Sequence, residues 1–448
     1  MLTNSEILSI SPLTGKYFED LIDLSYYFSE YATIKYKLMV ACDYLIYICN
    51  LDETPCRPFN IGEINEIKQL YIKYDMSSAK FIIDLAKKYG DQIYAINEYI
   101  KKHIDSNISY IHYGLSSEDV SSLSMAIMIN DFKPTISKYT DDIINQFDVF
   151  IDKYDETVFI PRSQGQPCTP TTISQIFRVY KDRICRCLKE YKQSTVYVKF
   201  GGTTGNLNAH YMSLPNADWH KLMDEFVYKY DLPREKFTTQ VGSNDGLVSF
   251  IDSINKINGV LVDLSMDMWS YGLMGYIIKK GSTIIGDSSM PHKTDLSEFD
   301  LAEGNLNMSS YIINSMKIRL TKSRLYGDLS NSVLYDNIGV PLGYFIVGIR
   351  KILKGMKKIS FNKEFILEEL SKYSIVLMEG IQTIMKREGV VNAYEICKNW
   401  SNAKNNMTPD DIMKFCDNLH KYGISSGVIE EIKNNIDISN YQGLSYYS

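Results

Sequence analysis

Apolar side chains recur every three to four residues over unusually long stretches of this chain, and that spacing decides what it can fold into. Ile173, Phe177, Tyr180, Ile184, Cys187 and Tyr191 form one such stripe, and Ile257, Leu261, Leu264, Met268 and Tyr271 form another. Positions with this spacing share one face of an α-helix. Both patterns exceed the mean globular helix of about 11–12 residues, so they predict long helices packed seam to seam in a bundle, with packing between subunits. A third stretch opens at Asn362, a good N-cap, and closes before Gly389, a good C-cap. Between them Ile366, Leu370, Tyr373, Leu377, Ile381 and Ile384 share one face. Alternation of the strand type is sparse throughout. The expectation is an all-α protein in three regions: an N-terminal helical region over 1–111, a central long-helix bundle over 112–358, and a smaller C-terminal helical region over 359–448.

Length and charge narrow the function. A chain of 448 residues is long enough for two or three packed regions. Its net charge of -6 argues against a general nucleic-acid binder, which would present a basic face. No stretch is expected to reach the length of uncharged apolar sequence that a membrane span needs. The opening residues, Met1-Leu2-Thr3-Asn4-Ser5-Glu6, lack the basic and apolar segments of an export signal. Eight cysteines follow no framework spacing, and the lone Cys185-Arg186-Cys187 has no matching second pair. They read as structural thiols of a protein in the reducing cytoplasm, with no metal and no cofactor. The 34 tyrosines are scattered and form no binding platform.

Chemistry is concentrated in a few motifs. Gly286-Asp287-Ser288-Ser289-Met290-Pro291-His292-Lys293 lies in a Gly- and Ser-rich loop, 281–295, after a long apolar helical pattern. It resembles the Gly-Ser-Ser-x-Met-Pro-x-Lys-x-Asn loop of the fumarase/aspartase superfamily. Ser11-Pro12-Leu13-Thr14-Gly15-Lys16-Tyr17 and His112-Tyr113-Gly114-Leu115-Ser116-Ser117-Glu118-Asp119 resemble further blocks of the long bacterial branch of adenylosuccinate lyases. So do Gly165-Gln166-Pro167-Cys168-Thr169-Pro170, Gly205-Asn206-Leu207-Asn208-Ala209-His210, Asp218-Trp219-His220 and Glu303-Gly304-Asn305-Leu306. These blocks, in order, span nearly the whole chain.

The resemblance implies a fumarase/aspartase-like fold, a homotetramer and active sites assembled from three chains. It implies a small dicarboxylate or succinyl-type ligand and a β-elimination that releases fumarate. In that reaction a base removes a proton beside a carboxylate, an acid protonates the departing nitrogen, and fixed donors stabilise the developing dianion. By position in the motifs, Lys16, Tyr17, Ser116, Ser117, Gln240, Ser288, Lys293, Asp295, Arg324 and Ser332 are the implied ligand contacts. His112 stands where the family has it, whereas His103 and His420 match nothing.

The proton-transfer positions depart from the family. Its general-acid His is Gln164, and a carboxamide cannot release and recover a proton near neutral pH. A second active-site His falls on Asp91. The base Ser is Asp287, whose carboxylate, near its reference pKa of about 3.9, is a poor base for a weak carbon acid. The phosphate anchor departs as well. Ser323-Arg324-Leu325-Tyr326-Gly327-Asp328-Leu329-Ser330-Asn331-Ser332 resembles Ser-Arg-x-x-Arg-Asp-Leu-Thr-Asp-Ser, with the second Arg replaced by Gly327. A later Arg falls on Asp336, the N-terminal Arg is Lys16, and the family's Asn-Pro after Lys293 is Asp295-Leu296. Arg to Asp converts attraction for phosphate into repulsion. Three readings follow: a lyase turned to another succinyl-type substrate, a non-catalytic relative that binds a ligand or a partner, and a true adenylosuccinate lyase with relocated acid and base.

Overall fold

The computed structural model describes residues 7–279, 289–290, 296–327, 329–402 and 407–445. Eighteen labelled helices, all among the described residues, follow in chain order. Five lead: α1 (Ile22–Phe28), α2 (Glu30–Cys49), α3 (Ile61–Ile72), α4 (Met76–Tyr89) and α5 (Gln92–His103). The middle holds α6 (Ser117–Lys153), α7 (Ile173–Gln193), α8 (Asn208–Ser213), α9 (Trp219–Tyr228), α10 (Asp245–Leu273), α11 (Ser297–Leu320), α12 (Ser332–Asp336) and α13 (Gly339–Lys358). Last are α14 (Lys363–Leu370), α15 (Met378–Arg387), α16 (Ala393–Asn402), α17 (Pro409–Asp417) and α18 (Ser426–Asn434). Strands among the described residues are two or three residues long and pair antiparallel: β1 (Val158–Phe159) with β4 (Thr171–Thr172), β2 (Arg162–Ser163) with β3 (Gln166–Pro167), β5 (Ile277–Lys279) with β6 (Ile359–Phe361). The all-α reading holds.

The helices start where the sequence supplies caps. Ser29 accepts the Ala32 N–H at the start of α2, and Asn60 with Glu63 forms a reciprocal capping box on α3. Asp75 and Asp91 cap α4 and α5 by accepting the N–H groups of Ser78 and Tyr94. The stripes behave as the periodicity predicts. Ile173, Phe177, Tyr180, Ile184 and Tyr191 on α7 are buried, as are Ile257, Leu261, Leu264 and Met268 on α10.

The chain divides into two compact units. The first comprises Met1–Thr140, Arg186–Val262 and Leu301–Arg350; the second comprises Asp141–Cys185, Asp263–Asp300 and Lys351–Ser448. In the first, α2 packs against α3 and α5, with Ile34, Leu38, Val40, Leu45 and Ile48 buried. In the second, a core of Leu377, Met378, Ile381, Met385, Cys397, Ile412, Phe415, Leu419 and Ile429 joins the C-terminal helices.

Two expectations need correction. The face running from Ile366 to Ile384 is not one helix: α14 ends at Leu370, a 3-10 turn covers Ser374–Leu377, and α15 begins at Met378. Asn362 does cap its start, accepting the Phe365 N–H at 3.3 Å, and Gly389 does end it with φ 84°. The break falls at Ser371 and Ser374, where the Ser371 hydroxyl donates to the Glu368 carbonyl and competes with the helical backbone. Secondly, among the described residues, Ser332–Lys358 contains an 18-residue window of mean hydropathy 1.3, apolar and long enough by composition to cross a membrane. Its Ile338, Leu342, Phe345, Ile346, Ile349 and Ile352 are buried within the protein.

Candidate active site

The first unit gathers many of the residues singled out in the sequence. Their anchor is a pair that the motifs did not reveal, Lys199 and Asp119, both with side chains 0% exposed and 2.7 Å apart. The Lys199 ammonium also donates to Ser116 Oγ at 2.9 Å and to the Gly202 carbonyl at 2.5 Å. Asp119 Oδ1 accepts the Gly201 N–H at 2.8 Å, and its Oδ2 accepts the Ser116 N–H at 2.7 Å. Every charge in this knot is compensated, which is what a fully buried ion pair requires. It ties the turn that opens α6 to the glycine-rich loop before α8. Ser116, read from the sequence as a hydroxyl for a ligand, is thus committed to the knot, donating to Asp119 Oδ2 at 2.9 Å. Ser117 is exposed at the first position of α6.

Around this anchor the backbone is held in uncommon conformations. His112, Leu207 and Asn244 have φ of 59°, 55° and 60°, a region that side chains other than glycine seldom occupy. His112 Nδ1 is buried and has no hydrogen-bond partner among the described residues. Burial holds this imidazole below its ordinary pKa, against the pull of Asp119 and Asp91, so the neutral form dominates. Asp91 itself is exposed and caps α5, its Oδ1 accepting the Tyr94 N–H at 2.7 Å.

A cavity of about 170 Å3 opens beside the first turn of α6. Its charged lining is Lys37, Glu118, Glu235 and Asp336, joined by Asn244, Ser332 and Tyr335. Lys37 Nζ donates to Gln92 Oε1 at 2.7 Å, and burial lowers its pKa while Asp336, Glu118 and Asp91 oppose the shift. Burial pushes the Glu118 carboxyl up to about 7; Asp119 adds to this, while Lys199 and Lys37 resist. Tyr335 Oη donates to Asn244 Oδ1 at 2.7 Å, fixing α12 against the residue that precedes α10. Lys37, Glu118 and Tyr335 were not singled out from the sequence. Glu118 lies inside a quoted motif, and its placement beside two serines was the available signal. Nothing local to Lys37 shows that it meets a segment 299 positions away.

The remaining positions are spread more widely. Gln240 is exposed, its N–H bonded to the Tyr326 carbonyl at 3.0 Å, and a Cβ on Gly327 would lie 2.6 Å from its Oε1. The carboxamide therefore occupies the space that a side chain at position 327 would need. Arg324 is exposed. Tyr17 is buried, with the Lys16 ammonium 5.2 Å from its ring centroid. Gln164 belongs to the second unit, at the tip of the β2–β3 hairpin, where Gln164 and Gly165 have φ of 51° and 74°. Asp287, Ser288, Lys293 and Asp295 lie outside the described residues.

Known proteins resemble this chain over nearly its whole length. The family model described as Lyase matches residues 71–304, and that described as Adenylosuccinate lyase C-terminal matches 323–441. An adenylosuccinate lyase of Dictyostelium discoideum is 32% identical over 436 residues, 93% of each chain. One from Legionella pneumophila (strain Corby) is 30% identical over 445 residues, covering 96% of this chain and 95% of the relative. That of Escherichia coli (strain K12) is 28% identical, covering 93% of each. In fold the chain is similar to the fumarate lyase from Mesorhizobium sp. BNC1, with a TM-score of 0.74, 14% identity and 96% of each chain covered. It is also similar to β-carboxy-cis,cis-muconate cycloisomerase from Acinetobacter calcoaceticus sp. ADP1, with a TM-score of 0.71, 14% identity and 95% of each covered. Fold and site together define a member of the fumarase/aspartase superfamily. Within it, this chain belongs to the adenylosuccinate lyase family.

Proposed function

We propose that this chain is a carbon–nitrogen lyase that releases fumarate by β-elimination from a succinyl-type substrate lacking the nucleotide phosphate. One observation carries the reading: Asp336, at a position where the family motif has Arg, lines a cavity together with Glu235, and Lys37 is the one cation there among the described residues. A phosphate dianion would meet net repulsion there. Elimination needs a group that takes the proton beside the carboxylate and another that protonates the leaving nitrogen. We assign the first role to His112, an imidazole that burial keeps neutral. Glu118, protonated over part of the neutral range, suits the second. Lys37 is the cation in reach to offset developing carboxylate charge. The protein works as a cytoplasmic homotetramer in this reading. Support comes from Met308, Tyr311 and Ile318, apolar side chains exposed along α11 at spacings of three and seven.

A second reading, a non-catalytic binding partner, draws on Gln164, whose carboxamide cannot shuttle a proton. One experiment separates the two. Purified protein is incubated with a panel of phosphate-free N-succinyl compounds while fumarate absorbance is followed. Thermal shifts with fumarate, succinate and AMP are recorded alongside. Fumarate from any panel member supports the lyase. Ligand-induced stabilisation without any fumarate supports the binding partner and removes the lyase reading.

A further inference from the structure

We propose that the cavity between α2, α6 and α12 receives a cationic ligand group, an ammonium or a guanidinium, and that Asp336 with Glu118 sets this selectivity. As a statement about substrate it rests on the lyase reading; as a statement about what the cavity binds it stands by itself.

Among the described residues, four charged side chains line the cavity, Lys37, Glu118, Glu235 and Asp336, three acidic and one basic. Two of them have partners. Lys37 donates to Gln92, and Glu235 accepts the Ser243 hydroxyl at 2.6 Å and its N–H at 3.3 Å. Glu118 and Asp336 differ: among the described residues, neither carboxylate accepts a hydrogen bond. The single charge of Lys37 is shared among Asp336, Glu118 and Asp91, which all act on it. The Glu118 carboxyl drifts toward its neutral form because burial is not matched by enough counter-charge. A cationic group entering the cavity would supply it.

The rest of the lining suits such a group. Tyr197 and Tyr335 contribute aromatic rings, which attract alkylammonium and guanidinium ions, and Met125 and Met128 offer adaptable apolar surface for an alkyl stem. A cavity of about 150 Å3 is large enough for benzene, so about 170 Å3 admits a compact amine-bearing group.

The test uses the whole chain in low-salt buffer, with agmatine, putrescine, inorganic phosphate and AMP as probes in calorimetric titration and thermal shift. The account expects agmatine or putrescine to bind and raise Tm, and phosphate and AMP to have no effect. Asp336→Asn should weaken amine binding about tenfold and leave the unliganded Tm in place, since Asp336 is exposed. Asp336→Arg should abolish the amine response and create a phosphate response. Glu118→Gln provides a second, independent loss of amine affinity. The proposal is overturned if no amine binds, if amines bind Asp336→Asn as tightly as the wild type, or if phosphate or AMP stabilises the wild type. Amine binding without fumarate from any succinyl compound would leave this inference standing and remove the lyase reading. Fumarate release without amine binding would do the reverse.

Discussion

Lys199 lies in an apolar run, Val196-Tyr197-Val198-Lys199-Phe200, and is entirely enclosed with Asp119. Removing one partner leaves the other charge buried alone, so Lys199→Met should cost about 3–5 kcal/mol in chemical denaturation. A loss below about 1 kcal/mol would mean that the knot does not hold the site together. Two further side chains make opposite contributions to pH dependence. Glu118 has a folded-state pKa of about 7 against an ordinary 4.5, so its contribution is full below pH 4.5 and fades as pH rises through about 7. His210, fully buried with its Nε2 2.9 Å from Tyr44 Oη, is held down to about 4 from 6.5. Its contribution is present above pH 6.5 and is lost as pH falls through about 4. The stability difference between wild type and Glu118→Gln should therefore fall with rising pH between 4.5 and 7. That between wild type and His210→Gln should rise between 4 and 6.5. Each excursion is bounded at about 3 kcal/mol, and denaturant midpoints across pH 4–8 measure both; identical signs would contradict the assignment.

At the scale of elements, tight approaches are specific and testable. A Cβ on Gly114, where φ is 68°, would lie 2.6 Å from His210 Cε1, so Gly114→Ala should destabilise by about 2–4 kcal/mol in thermal or denaturant unfolding. The β2–β3 turn places both Gln164 and Gly165 at positive φ, a two-residue hairpin for which Asn-Gly is the favoured pair. Gln164→Asn should raise stability by about 0.5–1 kcal/mol, readable as a higher Tm. The long helices were legible in the sequence because a 3.6-residue period survives in any bundle, and the residues of the Ile173 and Ile257 stripes are mostly buried. The Ile366–Ile384 face was misread because its period continues through a break set by two serines. The motifs located His112, Ser116 and Asp336 but could not show that Ser116 is consumed by Lys199, or that Lys37 meets Asp336. Such contacts depend on long-range packing, which no local pattern encodes.

For the molecule as a whole, family membership and fold stand together, and the proposed change of substrate rests on a few exposed positions. The Dictyostelium and Legionella relatives are adenylosuccinate lyases, while this chain has an acidic residue lining the cavity and a carboxamide at the hairpin tip. Losing a positioned acid or base commonly lowers rates by about a hundred- to ten-thousand-fold, and in the proposed reading Asp336 opposes nucleotide binding as well. The most direct test is the steady-state rate of fumarate formation from adenylosuccinate by the purified chain, measured beside an E. coli relative at equal concentration. The account predicts a rate at least about a thousandfold below the relative's. A rate within about tenfold of it would contradict the account.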